Sequence, residues 1–93
     1  MTEASHPPLD DHERALLCYL AIEVIAGQTG DTMEAIAEVL DEFAAAGLVS
    51  IYRNATDAYL CVRDQEGQDH VIVHTERQWL RMMAHRPADP AMN

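Results

Sequence analysis

The chain has no lysine. All six of its basic residues are arginine, set against 16 Asp and Glu, and the formal net charge is −10 over 93 residues. A chain of that sign is repelled by nucleic-acid phosphates and meets basic partners more readily. The missing lysine also reads as high-GC codon usage, of the kind an actinobacterium or its phage would have. Cysteine is scarce too: Cys18 and Cys61 are the only two. They lie far apart among apolar neighbours, which excludes a disulfide framework and a zinc ribbon. Both read as reduced, mostly buried thiols. No apolar run reaches the ~18 residues of a membrane helix. The opening MTEASHPPLDD lacks the basic and apolar regions of a secretory signal, so the cytoplasm is the expected compartment.

The signatures of catalysis are missing as well. There is no Gly-x-Ser-x-Gly, no His-Glu-x-x-His and no phosphate loop. The GQTG segment at 27–30 leads into an acidic stretch rather than Gly-Lys-Ser/Thr. No enzyme is expected, with no catalytic residue, no cofactor and no metal site.

What is present reads as one small α+β domain of two N-terminal helices, a three-stranded antiparallel sheet and a C-terminal helix. Residues 1–9 read as a flexible arm, 10–86 as the domain and 87–93 as a disordered tail. Asp10 and Glu13 have capping-box spacing, and ALLCYLAIEVIA follows. That helix is apolar all round, so it needs cover on more than one side. The C-terminal helix or a second subunit would supply it. The expectation is a homodimer, with Cys18, Tyr19, Ile22 and Ile25 at the interface.

The stretch Asp31–Tyr52 organises the rest. Asp31 and Glu34 form a second capping-box pair, and Gly47 is a natural stop with Leu48 folding back onto Phe43 or Ala44. Met33, Ile36, Ala37, Val39, Leu40, Phe43 and Ala44 share one face of this helix. Three strands are expected, over 48–53, 58–63 and 70–74, joined by turn residues at 54–57 and 64–69. Strict alternation would turn Val49, Ile51, Leu60, Val62, Val71 and Val73 towards the helices. Ser50, Tyr52, Tyr59, Cys61, Arg63, His70, Ile72 and His74 would share the other face. Thr75 and Gln78 suggest a third capping box, opening a closing helix of about three turns that ends before Pro87.

The segment VLDEFAAAGLVSIYRN, followed by AYLCV, resembles the end of the last helix and the wing of winged-helix domains, over about Asp31–Val73. The resemblance implies a DNA-binding regulator that touches DNA through the wing and last helix, with Arg53, Arg63, Arg77 and Arg81 as contacts. A helix-turn-helix needs two short helices before the strand, and only one fits between Gly30 and Gly47. Where the family places its DNA-reading helix, this chain carries acids and no base.

Glu34, Glu38, Asp41 and Glu42 form that acidic face. Acids at i, i+4 repel one another by a few tenths of a kcal/mol per pair, so the row is mildly costly. It serves either as a solubilising face or as a docking surface for a protein partner with a basic surface. Tyr52, Tyr59, Arg63, His70 and His74 on the sheet offer a thin version of a base-stacking face. His70 and His74 would stand roughly 13 Å apart on a strand, too far to share a metal ion. Arg77, Arg81, His85 and Arg86 make a basic strip, best used in pairing with acids of the chain. These features favour a small acidic interaction module, a regulator or adaptor, over a winged-helix DNA binder. A third reading is a nucleic-acid mimic that blocks a DNA-binding protein.

Overall fold

The computed structural model describes residues 7–86. Helix α1 spans Asp11–Thr29 and α2 spans Met33–Ala45. Strands β1 (Val49–Arg53), β2 (Asp57–Arg63) and β3 (Asp69–Glu76) follow, and α3 (Arg77–Ala84) closes the domain. The sheet is an antiparallel meander in the order β1-β2-β3. This is the expected α+β architecture. No helix among the described residues is long and apolar enough to cross a membrane.

Local chemistry explains most boundaries. The Asp10 carboxylate accepts from the Glu13 amide at 2.8 Å, and the Glu13 carboxylate accepts from the Asp10 amide at 3.0 Å. Two orphan donors of α1 are satisfied reciprocally. α1 runs through Gly27 and stops at Gly30, which takes the left-handed φ of 81°. α2 ends in a Schellman turn: the Leu48 amide donates to the Phe43 carbonyl and the Gly47 amide to the Ala44 carbonyl. Gly47 has φ 78°, the conformation this turn requires.

Two expected caps are replaced by neighbours. Thr32, not Asp31, caps α2, accepting from the Ala35 amide at 3.1 Å. Thr75 stays in β3, and α3 opens from Glu76 without any side-chain cap. Its first amide, that of Arg77, donates instead to the Thr56 carbonyl. Tertiary contact does the work a cap would have done, and α3 is one turn shorter than expected.

The core gathers Leu9, Leu17, Ala21, Leu40, Ala58, Leu60, Val73 and Leu80 between the helices and one sheet face. Leu9 corrects the expected arm: Pro7–Leu9 is part of the folded unit. Residues 1–6 of that arm and the tail at 87–93 lie outside the described residues. α1 touches both α2 and α3. Its apolar girth is therefore covered from two sides within one chain. Cys18 and Ile22 pack against the core, and Ile25 borders a cavity shared with α2. Of the four residues assigned to a dimer interface, Tyr19 is about half exposed, at 49%, and Cys18, Ile22 and Ile25 are half-buried. α3 supplies one of the two covers the sequence argument allowed, while Tyr19 and Val24 of α1 remain exposed.

The sheet departs from strict alternation at one place. Leu60 pairs with Val73, but Cys61 pairs with Val71, so Ile72 is an extra residue in β3. This β-bulge exchanges faces over the first half of the strand. Ile72 packs against the core, while Val71 is turned out and is 57% exposed. His70 stands opposite Val62 on the helix side, and His74 stands opposite Tyr59 on the outer side. The expected grouping of His70 with His74, and of Val71 with Val73, is corrected by this one insertion.

Candidate interaction site

The bulge shapes a groove. Ile72 and Val62 form its sheet wall, and Phe43 of α2 overhangs it. A cavity of about 730 Å³ extends from these residues to Leu48, Arg63, Asp64, Gln65 and His70. A second, of about 300 Å³, shares Phe43, Val62 and Ile72 and continues to Ile25, Gln28, Ile36, Val39 and Leu40. The two are parts of one apolar furrow along α2. Val39 stands 46% exposed on its lip. At the sheet end the rim is polar. Asp64 accepts from the Glu66 and Gln68 amides, both at 2.9 Å, and bonds the His70 imidazole. The His70 contact and those amides hold the Asp64 carboxyl below its ordinary pKa.

Only the near edge of the acidic face, Glu42 and then Glu38, flanks this furrow. On α2 the 100° step puts Glu42 and Glu38 about 60° and 100° round from Val39, whereas Glu34 and Asp41 fall about 140° and 160° from it, on the side turned away from the furrow. All four acids are exposed. Among the described residues, no basic group lies within salt-bridge distance of any of them. Four of the six arginines, Arg53, Arg63, Arg77 and Arg81, are engaged elsewhere.

Arg77 is buried at 8% exposure, and its guanidinium donates to the Asn54 carbonyl at 3.0 Å and the Pro7 carbonyl at 2.7 Å. Arg53 also donates to Pro7, at 3.3 Å, and Arg63 pairs with Asp69 at 3.2 Å. Arg81 pairs with the buried Glu13 at 3.4 Å, and His85 with Asp10 at 2.6 Å. The basic strip of α3 thus faces acids of its own chain, those of the α1 cap rather than those of α2. Of the four arginines proposed for DNA, Arg53, Arg77 and Arg81 gather around Pro7 and Arg63 lies apart with Asp69; each is tied to a partner within the chain.

Asp10, Glu13 and His85 are close enough to share a cation. Their atoms already serve the α1 capping box, the His85 contact and Arg81. A cation there would have to displace the Arg81 guanidinium, so the cluster reads as a tie between α1 and α3. Cap geometry comes first in holding the Asp10 carboxyl below its ordinary range, with His85 adding to it.

The outer sheet face is a third arrangement. Tyr59 and His74 stack with centroids 4.5 Å apart, and His74 bonds Asp57 at 3.2 Å. Thr56 donates its hydroxyl to Asp57, and this bond, with His74 second, lowers the Asp57 pKa. Tyr52 reaches from β1 across to Asp69 of β3, where its hydroxyl donates at 2.9 Å. By the strand register that diagonal crosses Cys61, the central-strand residue between the two rows. Cys61 is only 4% exposed although it points away from the helices. Burial, with Asp69 second, raises its pKa, and burial likewise raises that of Cys18. Neither thiol is set up as a nucleophile. The face also carries Asp57, Asp69 and Glu76, which oppose the approach of a nucleic-acid strand.

Sequence reasoning found the acids but missed the groove. The available signal was Val71-Ile72-Val73, three apolar residues in succession within a strand. They cannot all face one core without an irregularity.

No family model and no curated protein matches this chain. A solved structure described as a bacterial toxin from Mycobacterium tuberculosis does. It is 33% identical, with a TM-score of 0.72, and the match covers 84% of this chain and 99% of that one.

Proposed function

The chain belongs to the same family as this mycobacterial protein, and from that premise we propose that it is a small bacterial toxin-like protein that acts by binding another protein. Its docking surface is the furrow between α2 and the β2–β3 end of the sheet, together with Glu38 and Glu42, the two acids of the expected set Glu34, Glu38, Asp41 and Glu42 that flank it. The partner presents a basic surface. The chain's role is that of a non-enzymatic effector or regulator.

One observation carries this reading. An open apolar furrow is flanked by Glu42 and Glu38, acids with no base within salt-bridge distance among the described residues. Apolar surface supplies most of the drive for protein association, and a flanking charge of one sign selects the partner and speeds encounter. Elsewhere, polar clusters are occupied in holding the fold together. The winged-helix reading is the weaker one here. Its four arginines are committed to Pro7, Asn54, Asp69 and Glu13, and its reading helix has the charge sign that repels DNA.

Induced expression in a bacterial host tests the proposal. The wild type is expected to arrest growth. Val39→Asp and the pair Glu38→Lys, Glu42→Lys are expected to abolish arrest while keeping native circular dichroism, since all three positions are exposed. No arrest by the wild type refutes the toxin assignment. Undiminished arrest by both folded variants refutes the docking surface.

A further inference from the structure

The furrow has a shape and a charge pattern that select the form of its occupant. Resting on the reading that this surface docks a protein, we infer that the occupant is a basic amphipathic α-helix. It lies along α2 with its apolar stripe in the furrow and its Arg or Lys side chains over Glu38 and Glu42.

The dimensions fit a helix. Ile36 and Phe43 mark the α2 wall, and seven residues at helical rise span about 10 Å, roughly two turns. Two turns of a partner would present anchors at i, i+3, i+4 and i+7 to Val39, Phe43, Val62 and Ile72. Glu38 and Glu42, the acids on the flank next to Val39, stand four residues apart, about 6 Å along the axis. A helix aligned with α2 carries its own i, i+4 positions at the same interval. Two bases four residues apart can therefore meet these two acids in register.

Strand addition is disfavoured by the same bulge that makes the furrow. An extended peptide needs a regular open edge, where its amides and carbonyls find partners. β3 is the edge strand beside the furrow, and its ladder is interrupted at Ile72, the residue that lines the wall. Bulges of this kind blunt an edge. A partner here must satisfy its backbone within itself, as a helix does.

A second copy of this chain is disfavoured by charge. It would bring a net −10 to an acidic rim. The α3 face is the chain's own basic strip, and it is already paired with Asp10 and Glu13.

The test is selection from a phage-displayed library of random peptides of about 18 residues, roughly five helical turns. The full chain is the bait, and Val39→Asp protein serves for counter-selection. Selected peptides are expected to carry apolar residues at i, i+4 and i+7 with Arg or Lys on one flank. Added to the isotopically labelled chain, they should shift the resonances of Val39, Phe43, Val62 and Ile72. Binding should weaken at least about tenfold on Glu38→Lys, Glu42→Lys protein and on proline insertion into the peptide. Enrichment of acidic, extended or proline-rich sequences overturns the inference, as does a failure to enrich any sequence. Shifts confined to the outer sheet face overturn it as well. If the furrow variants still abolish growth arrest in that event, the docking surface stands and only the helical form of its partner falls.

Discussion

Arg77→Met is the sharpest probe of how this small domain is held together. Arg77 begins α3, yet its guanidinium reaches the carbonyls of Pro7 and Asn54. It thereby joins the segment before α1, the β1–β2 turn and the start of α3. Methionine retains an unbranched apolar stem of similar reach but cannot donate. A hydrogen bond from a charged group contributes about 1.5–3 kcal/mol, and removing the donor leaves the carbonyls behind. Pro7 and Asn54 are exposed enough to regain some water, so the lower end applies to each bond. The expected loss is about 2–3 kcal/mol, a large part of the roughly 5–15 kcal/mol that stabilises a domain. At this size each kcal/mol moves Tm by about 4–8 °C, so a fall of roughly 10–20 °C is expected. Thermal and urea melts followed by circular dichroism read it. Amide exchange in the first turns of α1 should rise as the Leu9 segment detaches. Arg77→Lys, which can serve one carbonyl but not both, should lie between. A methionine variant melting within about 2 °C of wild type would show that the buried guanidinium gains no more than its desolvation costs.

Glu38→Lys turns two repulsive i, i+4 contacts, with Glu34 and Glu42, into attractive ones. It should raise stability by up to about 1 kcal/mol, seen as a higher urea midpoint, while weakening partner capture. The folded-state pKa values of Asp10, Asp57 and Asp64 are depressed. Their contribution to stability is therefore present above the unfolded carboxyl value of about 3.9 and is lost as pH falls through the folded values. Melting curves from pH 6 to pH 2 should show the advantage of wild type over Asp64→Asn disappearing in that acid window, and a constant difference would refute the linkage. Cys61 should resist a thiol reagent in the native chain, and Tyr52→Ala, by removing the ring that crosses it, should speed labelling by at least about tenfold.

The elements themselves were legible because their signals are local. The Asp10–Glu13 box, the Gly47 stop and the turn residues Asn54 and Asp64 act within a few positions of chain. Two boundaries were misplaced where equivalent groups compete. Thr32 displaced Asp31 because either side chain can cap, and only one geometry puts the acceptor at the Ala35 amide. α3 needed no cap of its own because the Thr56 carbonyl, from another element, takes its first amide.

The acids of α2 were legible as a face because helical period alone groups them. The furrow beside them was not. It depends on the single extra residue in β3, and the register of a strand is a property of two chain segments together. Arg77 shows the same division. By wheel it belongs with Arg81 and His85 in an exposed strip, and burial follows only from where Pro7 and Asn54 come to rest.

By itself, the sequence determined the order of helices and strands, the sign of the charge and the face of α2 that carries it. These follow from spacing within segments. Tertiary structure alone decided that α1 packs against both α2 and α3, that Arg53, Arg63, Arg77 and Arg81 are spent on intramolecular ties, and that Ile72 opens an apolar furrow flanked by Glu38 and Glu42. Each of these is set by contacts between residues distant in the chain, and local periodicity carries no record of them.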